Sequence, residues 1–136
     1  YYSYLENWDP YKNYLLAKEK FDMEENTRSN PSTFTNFSQN DQKLYPLHTY
    51  LMYLKFGFGR ACQDACIEIR RGAMTRDQAI ALVNLYDHLF PKEHLKVYLE
   101  YYGMSLNKFK KILDKFANKK ILKKKNNLWK RKFVYK

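Results

Sequence analysis

The residues with the clearest chemical potential lie in the segment 55–71. Gly57 and Gly59 flank Phe58 in a stretch whose apolar spacing predicts a helix. Each glycine costs about 1 kcal/mol relative to alanine in a helix interior. Two such costs indicate that the backbone here is closely approached, either by a neighbouring helix or by a ligand.

Four charged side chains follow the glycines on one side of the predicted helix, at spacings of four, four and three residues: Arg60, Asp64, Glu68 and Arg71. One interpretation is a solvent-facing ladder of ion pairs, each contributing a few tenths of a kcal/mol. The other is that Arg60 donates to a phosphate while Asp64 orients it or bonds a sugar hydroxyl. Spacing alone leaves both interpretations open.

Other familiar chemistries find no support in the sequence. There is no GxxxxGK[ST] phosphate loop. The spacing of the three histidines gives no evidence that any of them pairs with a serine or cysteine nucleophile. Cys62 and Cys66 are one helical turn apart, so a disulfide between them would constrain nothing, and a metal would need two further ligands. We expect core cysteines in a reducing compartment, no catalytic residue and no metal site.

The same region resembles a known family. The matching residues are Leu54-Lys-Phe-Gly-Phe-Gly-Arg-Ala61, Asp64-Ala65, Ile69-Arg70, Arg71-Gly72, Met74-Thr-Arg-Asp77, Ala79-Ile80 and Leu82-Val83, with Trp8-Asp-Pro10, Thr33-Phe-Thr-Asn-Phe-Ser38, Asp87 and Phe90-Pro91 in the same order. They resemble the C-terminal region of N-acetyl sugar amidotransferases, the PseA-like and WbpG-like group of pseudaminic acid, legionaminic acid and acetamidino-sugar pathways. The resemblance also implies a setting in flagellin glycosylation or O-antigen biosynthesis.

The resemblance implies an ATP-dependent enzyme that converts an acetamido group of a nucleotide-activated sugar to an acetamidino group. ATP and Mg would bind a PP-loop domain nearer the N-terminus, and ammonia would come from a glutaminase partner of the HisH/HisF type. This segment lacks the ATP loop, so by itself we expect it to bind no cofactor and to be inactive. The resemblance implies a contribution to the sugar pocket or to a partner surface.

On that basis the expected substrate-binding residues are Lys55, Gly57, Gly59, Arg60 and Asp64. Two other functions stay open. One is an RNA-binding helical appendage, since PP-loop relatives include tRNA-modifying enzymes. The other is a protein-interaction module, which would require a neighbouring helix to fill the surface of the two glycines.

The net charge of +11 is unevenly distributed. Residues 1–106 hold 12 Lys/Arg and 13 Asp/Glu, whereas residues 107–136 hold 13 Lys/Arg and one acid, Asp114. A nucleic-acid-binding globule should carry its basic patch on the folded surface. The concentration of charge at the C-terminal end therefore makes nucleic acid an unfavoured partner without excluding it.

Helical spacing and capping residues predict an all-α fold of about five helices, as the C-terminal part of a larger α/β PP-loop enzyme. The helices are predicted at about 10–20, 47–71, 75–86, 92–102 and from 106, with caps at Asp9, Thr75 and Ser105 and stops at Gly72 and Gly103. We divide the chain into a helical domain, 1–116, with an aromatic loop at about 22–43, and a Lys-rich tail, 117–136. Within the tail, residues 128–135 are expected either to add a short strand or to pack back onto the domain.

The compartment follows from composition. Hydrophobic residues make up 45% of the chain, enough for a core, but no apolar run approaches the roughly 20 residues of a membrane span. The chain begins at Tyr1 without an initiator methionine. We expect part of a longer, soluble, cytoplasmic protein with no membrane partner.

Overall fold

The computed structural model describes residues 1–135 and every side chain among them except that of Tyr2. It is mostly helical with one small sheet. The helices are α1 (Pro10–Phe21), α2 (Tyr45–Phe56), α3 (Arg60–Arg70), α4 (Arg76–Tyr86), α5 (Leu95–Tyr101) and α6 (Leu106–Phe116), and the strands are β1 (Leu122–Lys125) and β2 (Leu128–Arg131). Short 3-10 helices occupy Tyr2–Tyr4 and Lys92–His94.

The predicted helix starts are confirmed where a side chain supplies the cap. Asp9 accepts hydrogen bonds from the backbone N–H groups of Tyr11 and Lys12, and Pro10 takes the first helical position. Thr75 forms the predicted capping box with Gln78 at the start of α4, and Ser105 caps α6. Each cap satisfies N–H groups that a helix leaves unpaired at its beginning.

The single helix predicted over 47–71 is wrong, because the chain breaks at the two glycines. Gly57 ends α2 in the left-handed conformation, with φ of 82°, and its N–H donates to the carbonyl of Tyr53. Gly59 is extended and precedes the first residue of α3. A left-handed residue ends a helix at low cost only when it lacks Cβ, so the glycines separate two helices instead of lying inside one.

The all-α prediction needs a second correction at the C-terminal end. β1 and β2 pair antiparallel, with Lys123 opposite Lys130. Asn126 and Asn127 connect them and both have positive φ, 51° and 60°. Two positive φ values match a two-residue turn that follows the twist of a hairpin, and asparagine tolerates this conformation better than most residues.

The main core surrounds α2. It combines side chains from α2, α5, α6 and the hairpin: Leu47, Tyr50, Tyr53, Leu54, Tyr98, Phe109, Leu113, Ala117, Leu122 and Trp129. The region expected to be a Lys-rich tail thus contributes Leu122 and Trp129 to the same core, while its lysines stay exposed. Successive side chains of a strand point to opposite faces, so the hairpin can bury apolar residues on one face and expose lysines on the other.

A smaller cluster joins α3 to α4. Ala65, Ala79 and Val83 are buried there, with Phe34 from the loop and Tyr135 from the end of the described chain packed against them. In contrast, α1 contains no buried residue. Within residues 1–135, no helix has both the length and the apolar character needed to cross a membrane.

Candidate functional site

Arg60 is the first residue of α3, and its side chain is buried, with 2% of its surface exposed. Its Nη2 donates to the carbonyl and the hydroxyl of Ser38, and its guanidinium lies 5.1 Å from the ring centroid of Tyr45. Its Nη1 is also buried and has no hydrogen-bond partner within the part of the chain that the structure describes. Burial lowers the pKa of this guanidinium, and the charge of Asp64 offsets part of that effect.

The loop at 22–44 covers the side chain of Arg60 and accepts its hydrogen bonds through Ser38. Phe37 anchors it to α1 by stacking on Tyr14, with ring centroids 4.4 Å apart. Asn30 is buried, and its side-chain amide donates to the carbonyl of Ser38 and to the amide oxygen of Asn40. Residues 22–44 form no helix or strand, and the asparagines of this loop supply the internal hydrogen bonds that buried loop backbone requires.

Asp64 fastens the same loop to the next turn of α3. Its Oδ2 accepts from the hydroxyls of Thr33, at 2.5 Å, and Thr35, at 3.1 Å. Arg60 Nε lies 3.8 Å away, an ion pair instead of a hydrogen bond. Burial raises the pKa of Asp64, against the opposing effects of Thr33, Arg60 and Thr35. Thus Arg60 and Asp64 are close together as the spacing predicted, with Arg60 buried and Asp64 half-buried. The second pair of the predicted ladder also forms, between Glu68 and Arg71.

An open cavity of about 270 Å³ lies between this loop and the segment before α5, and Arg60 lines it. Arg28, Lys43 and His94 add basic groups to its wall, and Glu93 is the one carboxylate among its lining residues. Side-chain amides of the asparagine-rich loop complete the wall. Guanidinium and ammonium groups suit phosphate or carboxylate oxygens, and amides suit hydroxyl and carbonyl groups.

The other predicted site residues lie away from this cavity. A Cβ on Gly57 would be 3.1 Å from Ile121 Cδ1, and one on Gly59 would be 2.9 Å from Asp87 Oδ1. Lys55 is exposed at the end of α2, with its Nζ 5.2 Å from the ring centroid of Phe56. Contacts within the chain therefore account for both glycines without a ligand.

Asp87, at the end of α4, is a buried polar residue that sequence reasoning did not place at the site. Its carboxylate accepts from the backbone N–H of Gly59, at 2.9 Å, and of Cys62, at 3.1 Å, and from Arg131 Nη1, at 3.0 Å. Burial raises its pKa, and these three donors oppose the effect. Asp87 thus caps α3 from another helix, and the N-terminus of α3 has no room for an anionic ligand.

No sequence signal links Asp87 to its partners. Gly59 lies 28 residues before it and Arg131 lies 44 residues after it. Arg131 also donates to Asn84 Oδ1 and stacks on Tyr135 at 4.5 Å. The capping role depends on tertiary contacts, so local spacing could not have revealed it.

Comparison with known protein families decides which family this is. A family model described as LPS biosynthesis protein WbpG-like, C-terminal domain, matches residues 31–134. The chain belongs to this WbpG-like family. The prediction of a WbpG-like C-terminal region is therefore confirmed. No curated protein matches the chain significantly.

In this WbpG-like domain the matched region includes the cavity wall from Pro31 onward, Arg60, Asp64 and the hairpin, but not α1. The expectation of core cysteines is wrong, because Cys62 is half-buried and Cys66 is exposed. Both line an apolar groove with Tyr135. Burial raises the pKa of the Cys62 thiol to about 11, and the neighbouring charge of Asp87 adds to the effect. A thiol with so high a pKa is a poor nucleophile at neutral pH.

Proposed function

We propose that the chain is the C-terminal region of an ATP-dependent N-acetyl sugar amidotransferase and that it contributes the binding site for a nucleotide-activated acetamido sugar. In this proposal the acetamido group becomes an acetamidino group, with its carbonyl oxygen replaced by nitrogen from ammonia. Membership of a family concerned with LPS biosynthesis supports a role in making a sugar. The resemblance to amidotransferases supplies the reaction.

The proposal depends on Arg60, a residue that lines the cavity and whose buried Nη1 has no partner within the described residues. A buried donor without a partner costs about 1–3 kcal/mol, and folded proteins keep few such groups. A phosphate oxygen bound at Arg60 would supply the acceptor that Nη1 lacks. Arg28 and Lys43, both exposed on the wall, would meet the remaining phosphate charge.

The start of α3 is not available to the phosphates of ATP. The carboxylate of Asp87 already fills the N-terminus of α3, where a phosphate would otherwise meet free N–H groups. The resemblance to amidotransferases assigns ATP and Mg to a separate PP-loop domain of the longer protein.

We also propose an ammonia donor and a cellular compartment for the enzyme. The ammonia would come from a glutaminase partner of the HisH/HisF type, and the enzyme would work in the cytoplasm, where nucleotide-activated sugars are made. Of the five residues predicted to bind substrate, the geometry favours Arg60, with Asp64 as the residue that orients it. Lys55, Gly57 and Gly59 have other contacts.

The test uses the full-length protein with ATP, ammonium and a UDP-linked acetamido sugar, and mass spectrometry reports exchange of the carbonyl oxygen for nitrogen. We expect exchange, and we expect Lys43→Gln and Arg28→Gln to raise KM with kcat little changed, because both residues would bind ground state and transition state alike. Lys55→Gln is the control for lost charge. Absence of exchange with every acetamido sugar offered would contradict the proposal.

A further inference from the structure

The hairpin carries four lysines on one side. Side chains alternate between the two faces of a strand, and the register places Lys123 opposite Lys130. Lys125 lies two residues after Lys123 and therefore points to the same face. Lys132 lies two residues after Lys130, and its backbone N–H donates to the carbonyl of Ile121, which extends the antiparallel pairing by one residue. All four are exposed. We call this set the outer lysine face.

The inner face of the hairpin is built differently. Leu122 and Trp129 are buried in the core, and Arg131 binds Asp87. Lys124 also belongs to this face, and its Nζ donates to Asp114. Every inner side chain therefore has a packing or pairing partner.

The lysines of the outer lysine face lack carboxylate partners among the residues that the structure describes. None of its four lysines forms an ion pair with a carboxylate in the described range 1–135, although Lys132 Nζ donates to the carbonyl of Lys119. The only acid in residues 107–136 is Asp114, which is engaged by Lys124 and Trp129 on the other face. Like charges directly opposite in a sheet are destabilising, so packing does not explain this arrangement.

The side chains present indicate which anion fits. Sequence-tolerant binding of single-stranded nucleic acid uses exposed aromatic rings for base stacking, and guanine readout most often uses arginine. Here Trp129 and Arg131 both face inward and are engaged. Phe133, the nearest partly exposed ring, packs edge-on against Tyr135 beside Gly57, so it does not present an open stacking platform. The outer lysine face offers ammonium groups around the half-buried Leu128, which lies opposite Lys125, and it continues to the exposed apolar residue Val134. Clustered lysines with neighbouring apolar groups suit anionic lipid headgroups.

We propose that the outer lysine face binds the surface of an anionic lipid bilayer. The hairpin lies on the headgroups without entering the hydrocarbon, and the rest of the domain remains in water. The strength of binding falls with added salt, because screening weakens the attraction between exposed charges. This inference is independent of the proposed sugar site, since none of the four lysines lines that cavity.

The experiment is co-sedimentation of the full chain with phosphatidylcholine vesicles, with and without phosphatidylglycerol. We expect binding only to vesicles that contain phosphatidylglycerol. Each lysine near an anionic surface contributes roughly a fivefold factor in partition, so Lys123→Gln with Lys130→Gln should weaken binding roughly 25-fold. The matched control is Lys92→Gln with Lys96→Gln, which removes the same charge from another surface and should weaken binding much less.

Thermal unfolding separates lost binding from lost folding. Replacing Lys123 and Lys130 removes a like-charge pair, so the melting temperature should stay the same or rise while vesicle binding falls. Equal loss in the control pair would overturn the proposal, because net charge alone would then explain binding. Binding of an RNA oligonucleotide by the outer lysine face, without binding to anionic vesicles, would also overturn it.

Discussion

Asp87 Oδ2 and Arg131 Nη1 lie 3.0 Å apart, and this buried ion pair joins the end of α4 to the second strand of the hairpin. The same carboxylate caps α3 through Gly59 and Cys62. One side chain therefore holds together three parts of the fold that are distant in sequence. Because α3 begins with Arg60, the pair also fixes the helix on which the candidate site is built.

Asp87→Ala should destabilise the protein strongly. The change leaves the guanidinium of Arg131, 7% exposed, without its carboxylate, and it removes the acceptor of two backbone N–H groups. Loss of one partner from a buried pair costs about 3–5 kcal/mol. Urea unfolding measures the cost, and Asp41→Ala, at an exposed loop position, is the control. Similar unfolding free energies for the two variants would contradict the role assigned to Asp87.

Gly57→Ala and Gly72→Ala form a second matched pair. Both glycines have positive φ, 82° and 78°, so both variants should lose about 1 kcal/mol or somewhat more to backbone strain. Only at Gly57 would the new Cβ press against Ile121, at 3.1 Å, whereas nothing lies within 4 Å at Gly72. We expect the larger loss of unfolding free energy for Gly57→Ala. Equal losses would show that the hairpin does not pack closely on the end of α2.

The features that the sequence predicts correctly are those whose partners lie within a few residues along the chain. The caps at Asp9, Thr75 and Ser105 were correct because each bonds to backbone two or three residues away. The break at Gly57 was missed because the apolar spacing continues across it. The burial of Arg60 was also missed, because Ser38, which accepts its hydrogen bonds, is 22 residues away on a loop without regular structure.

The stability of the folded protein should depend on pH through the carboxyl group of Asp114, which binds the hairpin. Partial burial raises the pKa of its carboxyl, but hydrogen bonds from Lys124 and Trp129 and the charges of Lys124 and Lys119 outweigh this effect, so the pKa lies below its ordinary value of 3.8. A lowered pKa in the folded state contributes stability above pH 3.8, and that contribution is lost as pH falls through the folded pKa.

Asp114→Asn keeps the shape of this side chain and removes its titration. At neutral pH the wild type should melt at the higher temperature, and the difference should shrink as the pH is lowered below 3.8. Thermal unfolding followed by circular dichroism over this range is the measurement. A difference that stays constant with pH would show that the carboxylate does not stabilise the hairpin.

The most direct measurement for the sugar site is calorimetric titration of the protein with a UDP-linked acetamido sugar. Binding should weaken about tenfold or more in Arg60→Lys, because an ammonium group cannot replace the guanidinium fork, and also in Lys43→Gln, whose exposed side chain can change without disturbing the core. Lys55→Gln, which lies outside the cavity, should bind like the wild type. Equal affinity in all four proteins, or no binding by the wild type, would contradict the assignment of the cavity beside Arg60 as the sugar-nucleotide site.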